Sequence, residues 1–346
     1  MRGRAGDSCR NILHNCFSIM TSKLIVVIGA TGTQGGSVVE TFRNEPGWTV
    51  RGVTRNTSSR TSQALTARGV ETVRANLDDV PSLVAAFQGA HTIFSVTDFW
   101  TGFRNPDNSS KLAPGQTMME WAHDYELQQG KNVFTAAAQT PTLERLVFSA
   151  LPYVTKWSKG KYTHVYHFDA EGRAVEYGRS TYPELMKKTS VIQLGIYLTN
   201  MLRMPHYQPH KDKDGVYVFS TKMAADRIVP LIATSEDTGP LTKALVNVDG
   251  GKTLLAYREL ITLDEFAQTW GRALGVKAKY VATGPGEVWV AIPELREDIE
   301  ECADFIAEFG FEGGDPSVVH PKDLGIPVNL GTVEEWIKKQ DWSAVL

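Results

Sequence analysis

Apolar and polar residues follow one another along the first half of the chain in blocks that predict alternating strands and helices. The run Leu24 to Ile28 is wholly apolar, as in a buried strand, and an amphipathic stretch begins at Ser37. Strands are further predicted at 48–53, 70–74, 91–96 and 143–149, and helices at 37–44, 58–68, 81–87 and 115–138. This order predicts an α/β fold with a doubly wound parallel sheet and helices on both faces.

Ligands of doubly wound sheets bind where the strands end and the strand order reverses. That rule selects four loops as walls of a site: 29–36, 54–60, 97–106 and 149–166. Beyond about residue 195 the alternation fails, because several prolines divide the chain into short pieces. Helices are still predicted at 262–274, 296–309 and 333–338. We therefore expect a smaller mixed α/β lobe that covers the open side of the cleft.

Three glycines, Gly29, Gly32 and Gly35, lie between the first strand and the first helix with the spacing G-x-x-G-x-x-G. They allow a sharp turn, a close approach to a phosphate and tight packing of the helix, whose N-terminus attracts a pyrophosphate. A glycine turn without a ligand is the alternative, but the strand–helix context favours a Rossmann-type dinucleotide site. The expected organisation is a tail over 1–22, a Rossmann domain over 23–195 and the smaller lobe over 196–346.

The residues around the end of the second strand indicate which dinucleotide binds. No Asp or Glu occurs within residues 46–70, which contain four arginines. An acid at this place holds the ribose of NAD, whereas an arginine holds the 2′-phosphate of NADP. We therefore predict NADP(H), with Arg55 at the phosphate. An ordinary solvated basic loop is the alternative, and it suits Arg51 and Arg68 better than Arg55.

The composition is that of an ordinary globular protein and excludes several classes of function. The 346 residues are 42% hydrophobic and 22% charged, with a net charge of −3. This balance offers no basic surface for nucleic acid or an anionic membrane. The cysteines Cys9, Cys16 and Cys302 form no C-x-x-C pair, which predicts a reducing compartment and no metal site. We expect a cytoplasmic protein, with the nucleus as the alternative.

Residues 1–22 do not follow the pattern of the rest of the chain. They carry three arginines and one acid, and they lack the apolar segment of a secretory signal. We expect a disordered tail, or an extension upstream of a start at Met20, rather than a mitochondrial transit peptide.

Five short blocks together make a more specific pattern than the glycines alone. They are Gly29–Val38, Val53–Asn56, Asn76–Asp79, Val96–Trp100 and His167–Asp169. Together they resemble the NmrA-like family of atypical short-chain dehydrogenase/reductase proteins, and most of all its branch of cytosolic NADPH sensors. The resemblance covers about residues 23 to 205 well. The namesake of the family is a fungal nitrogen-metabolite repressor that binds a dinucleotide and a transcription factor.

The resemblance implies NADP(H) as the cofactor and contacts at matching positions. The residues expected to bind it are Gly29, Ala30, Thr31, Gly32, Thr33 and Gln34 at the pyrophosphate, Arg55, Asn56, Ser58, Ser59 and Arg60 at the 2′-phosphate, Asn76 and Leu77 at the adenine, Thr97, Asp98 and Phe99 near the nicotinamide ribose, and Tyr197 and Asn200 at the nicotinamide. The family often has an acid where Asn76 stands, so that contact is altered here.

The catalytic pair Tyr-x-x-x-Lys of the larger superfamily is replaced in this chain. His167 stands at the tyrosine position, as in the family, and Glu171 stands at the lysine position. A carboxylate raises rather than lowers the pKa of a neighbouring acid, so the usual mechanism is in doubt. Glu171 still offers an oxygen to a ribose hydroxyl. His167 could act as a general acid, with simple packing at the helix start as the alternative; the catalytic residues stay unassigned.

Two classes of function follow from these patterns. The altered pair favours a redox sensor or regulator that responds to the dinucleotide and meets a protein partner. The alternative is an NADPH-dependent oxidoreductase that acts on an aromatic or polyketide-like molecule, since aromatic residues surround the expected cleft. Whether the protein is an enzyme is left open, and a homodimer is an open alternative to a monomer.

Overall fold

A computed structural model describes residues 22–284 and 290–346. The predicted tail, residues 1–22, lies outside the described residues apart from residue 22. The first part of the chain forms β1 Lys23–Ile28, α1 Thr33–Arg43, β2 Trp48–Thr54, α2 Arg60–Ala67, β3 Glu71–Arg74, α3 Val80–Phe87, β4 Thr92–Ser95, α4 Phe99–Arg104, a 3-10 helix Pro106–Lys111, α5 Met118–Ala137, β5 Arg145–Ser149, α6 Val154–Trp157, α7 Tyr166–Thr181, α8 Pro183–Met186 and β6 Thr189–Leu194.

The second part of the chain contains shorter elements and more loops. It forms β7 Ile196–Tyr197, α9 Asn200–Arg203, β8 His210–Lys211, β9 Tyr217–Thr221, β10 Ile228–Ile232, α10 Thr234–Asn247, β11 Thr253–Ala256, β12 Glu259–Thr262, α11 Leu263–Leu274, β13 Ala278–Ala282, α12 Pro293–Phe309, β14 Val318–Val319, a 3-10 helix Pro321–Leu324 and α13 Val333–Lys339. Within the described residues, no helix combines the length and apolar character needed to cross a membrane.

The central sheet has eight strands in the order β14-β11-β6-β5-β4-β1-β2-β3, and its neighbours pair in parallel. The predicted Rossmann-type α/β fold is therefore confirmed. The strand order reverses between β1 and β4, so the crevice expected to hold a ligand opens at their carboxyl ends. Two small sheets, β12-β10-β7 and β13-β9-β8, form the mixed part of the fold.

Strand β1 shows why the sheet is covered on both faces. Successive side chains of a strand point to opposite faces. Val26 and Ile28 pack with α3, α5 and α7, whereas Ile25 and Val27 pack with α1, α2 and α10. All four side chains are buried, which explains the unbroken apolar run in the sequence.

The predicted start of α1 near residue 37 is wrong by four residues. The helix begins at Thr33, so Gly35 and Gly36 belong to its first turn. A pattern built on side chains cannot place glycines inside a helix, because they contribute nothing to the amphipathic period. Two further predicted loops also contain helices, since 97–106 includes α4 and 149–166 includes α6.

The central sheet does not stop at residue 195, where the sequence pattern changes. Strands β11 and β14 extend it, and α10 packs against α1. The backbone N–H of Gly239 in α10 donates to Ser37 Oγ at 2.9 Å. The interrupted pattern of the second half therefore contains both sheet elements and the smaller lobe, and the boundary at 195 stays a prediction.

Candidate functional site

The glycine loop after β1 presents free backbone N–H groups at the crevice. Gly29 has φ +69°, which turns the chain out of the strand, and Gly32 N–H donates to Gly29 O at 2.8 Å. A Cβ on Gly35 would lie 2.2 Å from Gly29 O, so only glycine lets α1 approach the loop. The first turn of α1 contains no acid and no side-chain cap. Its N–H groups are therefore open to an anion such as a pyrophosphate.

One cavity of about 1270 Å³ runs from this loop along the strand ends and into the smaller lobe. Fifteen of the nineteen residues predicted to bind the cofactor line it, namely Gly29, Thr31, Gly32, Thr33, Gln34, Arg55, Asn56, Asn76, Leu77, Thr97, Asp98, Phe99, Glu171, Tyr197 and Asn200. The cavity is thus lined by residues from all four of the loops that were predicted to form its walls.

Four of the predicted residues are not among the described residues that line this cavity. Ala30 is buried with 2% of its surface exposed, close to the position that a Cβ of Gly52 would take. Ser59 caps α2, because its Oγ accepts from Ser62 N–H at 3.2 Å. Ser58 and Arg60 lie beside that helix start, where the chain turns away from the cavity. The loop after β2 is short, and only its first residues, Arg55 and Asn56, line the cavity at the end of the strand.

The arginines near β2 have different roles. Arg51 donates to Glu71 at 2.9 Å and to the carbonyl of Gln88 at 2.7 Å, and Arg68 pairs with Glu40. Arg55 is exposed and lines the cavity beside Asn56. This distribution makes Arg55 the arginine of the four that is best placed for a phosphate inside the cavity.

Two neighbouring acids, the buried Glu126 and the cavity-lining Glu171, lie near the expected position of the nicotinamide ribose. Thr97 Oγ1 donates to Glu126 Oε1 at 2.7 Å, and Glu126 is 1% exposed. Burial raises the pKa of Glu126 well above its usual value, and the negative charge of Glu171 raises it further. Burial also raises the pKa of Glu171 to about 7, although its carboxylate accepts from Leu151 N–H at 2.6 Å. These two carboxyls can hold a proton near neutral pH.

The sequence reasoning missed Glu126. It lies on the buried face of α5, between apolar positions of that helix. A carboxyl at a core-facing helical position was the available signal, because acids are rarely buried without a partner.

Tyr197 and Gln34 close the cavity on the opposite side. Gln34 Nε2 donates to the hydroxyl of Tyr197 at 2.8 Å, which joins the start of α1 to the strand β7. Burial raises the pKa of Tyr197, and Glu171 raises it further. Tyr197 therefore stays protonated and acts as a neutral wall of the cavity.

His167 lines the cavity at the start of α7 and contacts an acid from a distant helix. Its Nδ1 lies 2.7 Å from Oδ1 of Asp298, whose side chain is fully buried in α12. The contact is an ion pair rather than a well-aligned hydrogen bond. Burial by itself would lower the pKa of His167, but the charges of Asp298, Glu171 and Asp169 raise it above the ordinary value of histidine. Asp298 was absent from the sequence-based candidates.

The cavity continues past His167 into an outer chamber in the smaller lobe. We use this name for the part lined by Met204, Tyr207, Met223, Leu295, Ile299, Cys302, Ile306 and Phe311. The polar residues that line the cavity here include Lys222, whose ammonium pairs with Asp304 at 2.6 Å. Apolar side chains predominate among these eight residues, although His206, Gln208, Ser220 and Thr221 from the same segments also line the cavity. The outer chamber therefore suits a second molecule that differs in character from a dinucleotide.

Comparisons with known proteins agree with this architecture. The NmrA-like family domain-containing oxidoreductase hkm9 of Aspergillus hancockii is 28% identical over 294 residues, which cover 80% of this chain and 81% of that protein. FrzB of Cladobotryum sp, with the same description, is 27% identical and covers 79% and 81%.

Solved structures with this fold include a regulator and a reductase. The negative transcriptional regulator NmrA in complex with NAD superposes with a TM-score of 0.71 at 22% identity, covering 92% of this chain and 95% of NmrA. The Citrobacter sp. triphenylmethane reductase with NADP(H) gives a TM-score of 0.61 at 18% identity, covering 91% and 99%. The sequence profile of the NmrA-like family matches residues 21–337, and the protein therefore belongs to the NmrA-like family.

Proposed function

We propose that the protein is an NADP(H)-dependent oxidoreductase that acts on an apolar, aromatic small molecule. The observation that carries this proposal is the continuity of the cavity. A volume of about 1270 Å³ exceeds the range of roughly 300–1,000 Å³ that is usual for a single ligand. The outer chamber thus leaves room for a substrate beside a dinucleotide. The replaced Tyr-x-x-x-Lys pair favours a regulator, but a regulator needs no such chamber.

The assignment of NADP(H) rests on the glycine loop and on Arg55. The free N–H groups of α1 suit a pyrophosphate, and Arg55 suits a 2′-phosphate at the same wall. Structures that superpose on this fold include complexes with NADP or NADP(H), which supports the same cofactor, and NmrA is also solved with NAD.

The test measures binding first and turnover second. Calorimetric titration with NADPH, NADP+, NADH and NAD+ should show NADPH binding at least about tenfold tighter than NADH, which is about 1.4 kcal/mol. Oxidation of NADPH is then followed with malachite green, naphthoquinone and benzaldehyde as probes. Turnover of any of them supports the proposal. Tight binding of NADPH with no turnover of any of the three probes would contradict it.

A dinucleotide-responsive regulator is the second candidate. Glu171, which stands where a lysine is usual, and its neighbour Glu126 favour it because they supply no cation to the nicotinamide ribose. A regulator should capture the same protein partner with NADPH but not with NADP+, or the reverse. Equal capture in both redox states would argue against this candidate.

Replacement of Arg55 tests the site of the 2′-phosphate. We expect Arg55→Glu to remove the preference for NADPH over NADH, because it puts a negative charge beside the phosphate. The measurement is calorimetric titration of both dinucleotides. Arg60→Glu is the matched control, since Arg60 is exposed and is not among the described residues that line the cavity. Unchanged NADPH affinity in Arg55→Glu would disprove the assignment.

Replacement of Glu171 tests the acid pair. We expect Glu171→Lys to tighten NADPH binding by up to about tenfold, because it replaces a negative charge near Glu126 with a positive one at the cavity wall. Glu171→Gln is the control, since an amide oxygen can still accept from Leu151 N–H while the charge is lost. Weaker binding of NADPH by the lysine variant than by the glutamine variant would show that Glu171 lies away from the cofactor.

A further inference from the structure

We propose that His167 and Asp298 form the proton-donating pair of the reaction, with His167 as the catalytic acid and Asp298 as the residue that positions it. This inference rests on the proposed oxidoreductase function. It assigns the role of the missing tyrosine to a histidine that is supported from the smaller lobe. The structure assigns the pair by geometry, since the two side chains come from α7 and α12 and meet at the wall of the cavity.

Both carboxylate oxygens of Asp298 contact the start of α7. Oδ1 lies 2.7 Å from His167 Nδ1, and Oδ2 accepts from the backbone N–H of Tyr166 at 2.8 Å. Tyr166 is the first residue of α7, so the carboxylate also occupies the positive end of that helix. A fully buried acid in contact with one imidazole nitrogen restricts the orientation of the ring and stabilises its charged form.

The orientation leaves the other ring nitrogen for the cavity. Nδ1 is shielded from solvent against Asp298, whereas the side chain keeps 15% of its surface exposed. The ring is held between aromatic neighbours, with centroids 5.1 Å from Trp100 and 4.8 Å from Phe168. Nε2, unlike Nδ1, is not among the buried polar atoms without a partner in the described residues, and His167 lines the cavity, so we assign Nε2 as the nitrogen that faces a bound substrate.

The chemistry of a carbonyl substrate requires such a donor. Bound NADPH would supply the hydride that forms a C–H bond at the carbonyl carbon, and the C=O π pair would move to oxygen. That oxygen takes the proton from Nε2 of the protonated imidazole, which gives an alcohol, NADP+ and neutral His167. Water then returns a proton to the ring. Asp298 stabilises the charged imidazolium before the transfer and stays ionised throughout.

Other acids lie near His167. Glu171 and Asp169 are on the same helix α7, and their charges favour the protonated imidazole in the resting protein. Asp98, which precedes α4, acts on Glu171. Asp298 is distinguished from them by its direct contact with Nδ1.

The decisive experiment compares two substrates that differ in their need for a proton. Benzaldehyde needs a hydride and a proton, whereas the malachite green cation becomes neutral on accepting hydride alone. We expect His167→Gln to slow benzaldehyde reduction by roughly 100-fold to 10,000-fold, the usual contribution of a general acid. Reduction of malachite green by the same variant should fall far less, because that step consumes no proton.

The pH profile tests Asp298. Because the acid must be protonated, benzaldehyde reduction should be fast at low pH and fall as the pH rises through the raised pKa of His167. Asp298→Asn removes the charge that raises this pKa, so the fall should move to lower pH. His164→Gln is the matched control, because His164 pairs with Glu301 on the same two segments at 2.8 Å and is not among the described residues lining the cavity.

The possible outcomes distinguish failure of the His167–Asp298 pair from failure of the proposed oxidoreductase function. Equal losses for both substrates in His167→Gln would give the histidine a structural role and overturn the inference, while the oxidoreductase function would stand. A pH profile that Asp298→Asn leaves unshifted would also overturn it. Loss of benzaldehyde reduction in His164→Gln would mean that weakening any contact between α12 and the start of α7 is enough to lose activity. That result would also overturn the inference. Failure of the unmodified protein to reduce either substrate would reject the proposed function and this pair together.

Discussion

Gly35→Ala is expected to destabilise the protein by about 3 kcal/mol and to remove measurable dinucleotide binding. The new Cβ would lie 2.2 Å from Gly29 O and 2.5 Å from Gly29 C, both of which are backbone atoms. Since no rotamer change relieves a clash with backbone, α1 must move away from the loop. Its first N–H groups then leave the position where they face the cavity. Chemical denaturation and NADPH titration measure the two effects.

Gly36→Ala is the matched control for this prediction. The added Cβ meets Ala30 O at 3.8 Å, an ordinary contact, and the position lies in the same helical turn. Alanine is more favourable than glycine inside a helix by about 0.5–1 kcal/mol, so this variant should be as stable as the native chain or more so. Equal losses in both variants would mean that the close approach of α1 to Gly29 is not what the site requires.

Arg258→Met is expected to lower the free energy of unfolding by about 3–5 kcal/mol, the usual cost of removing one partner from a buried ion pair. The side chains of Arg258 and Asp237 are each only 1% exposed. The guanidinium binds both oxygens of Asp237, at 3.0 and 2.7 Å, and reaches the carbonyl of Thr332 at 3.2 Å. The variant would leave the carboxylate of Asp237 buried without its cation.

Arg272→Met provides the comparison. Arg272 pairs with Glu334 at 3.0 Å, but 60% of its side chain is exposed, and exposed pairs contribute only about 0–1 kcal/mol. Denaturant unfolding should therefore show free energies of unfolding that differ by about 3 kcal/mol between the two variants. A similar small loss in both would mean that water reaches Asp237 when Arg258 is absent.

The candidate site depends on contacts between α12 and the segment before α7. Glu301 of α12 accepts from the N–H groups of Thr163 and His164 at 2.9 and 2.8 Å, and Glu308 accepts from the hydroxyl of Tyr162 at 2.9 Å. Asp298 completes this set at His167. In the proposed mechanism the smaller lobe therefore does more than cover the cleft, because its acids contact the start of the helix that carries His167 and Glu171.

The sequence by itself determined the elements whose signal is local. The apolar run of β1, the glycine spacing and the arginine at the end of β2 lie within about thirty residues, and each has a direct physical meaning. They were sufficient for the fold class, whereas the resemblance to the family also needed the blocks Val96–Trp100 and His167–Asp169. The start of α1 failed because Gly35 and Gly36 carry no side chain that a periodic pattern could register.

Only the tertiary structure decided which distant polar groups meet. Asp298 lies 132 residues from Tyr166, and in the sequence it is one acid among several in a helix rich in them. Glu126 likewise reaches Thr97 from another element. Hydrophobic periodicity reports whether a position is buried, but it does not report its partner. The partner depends on how helices cross the sheet, and for this reason the acid pair and the histidine–aspartate pair became visible only in the folded chain.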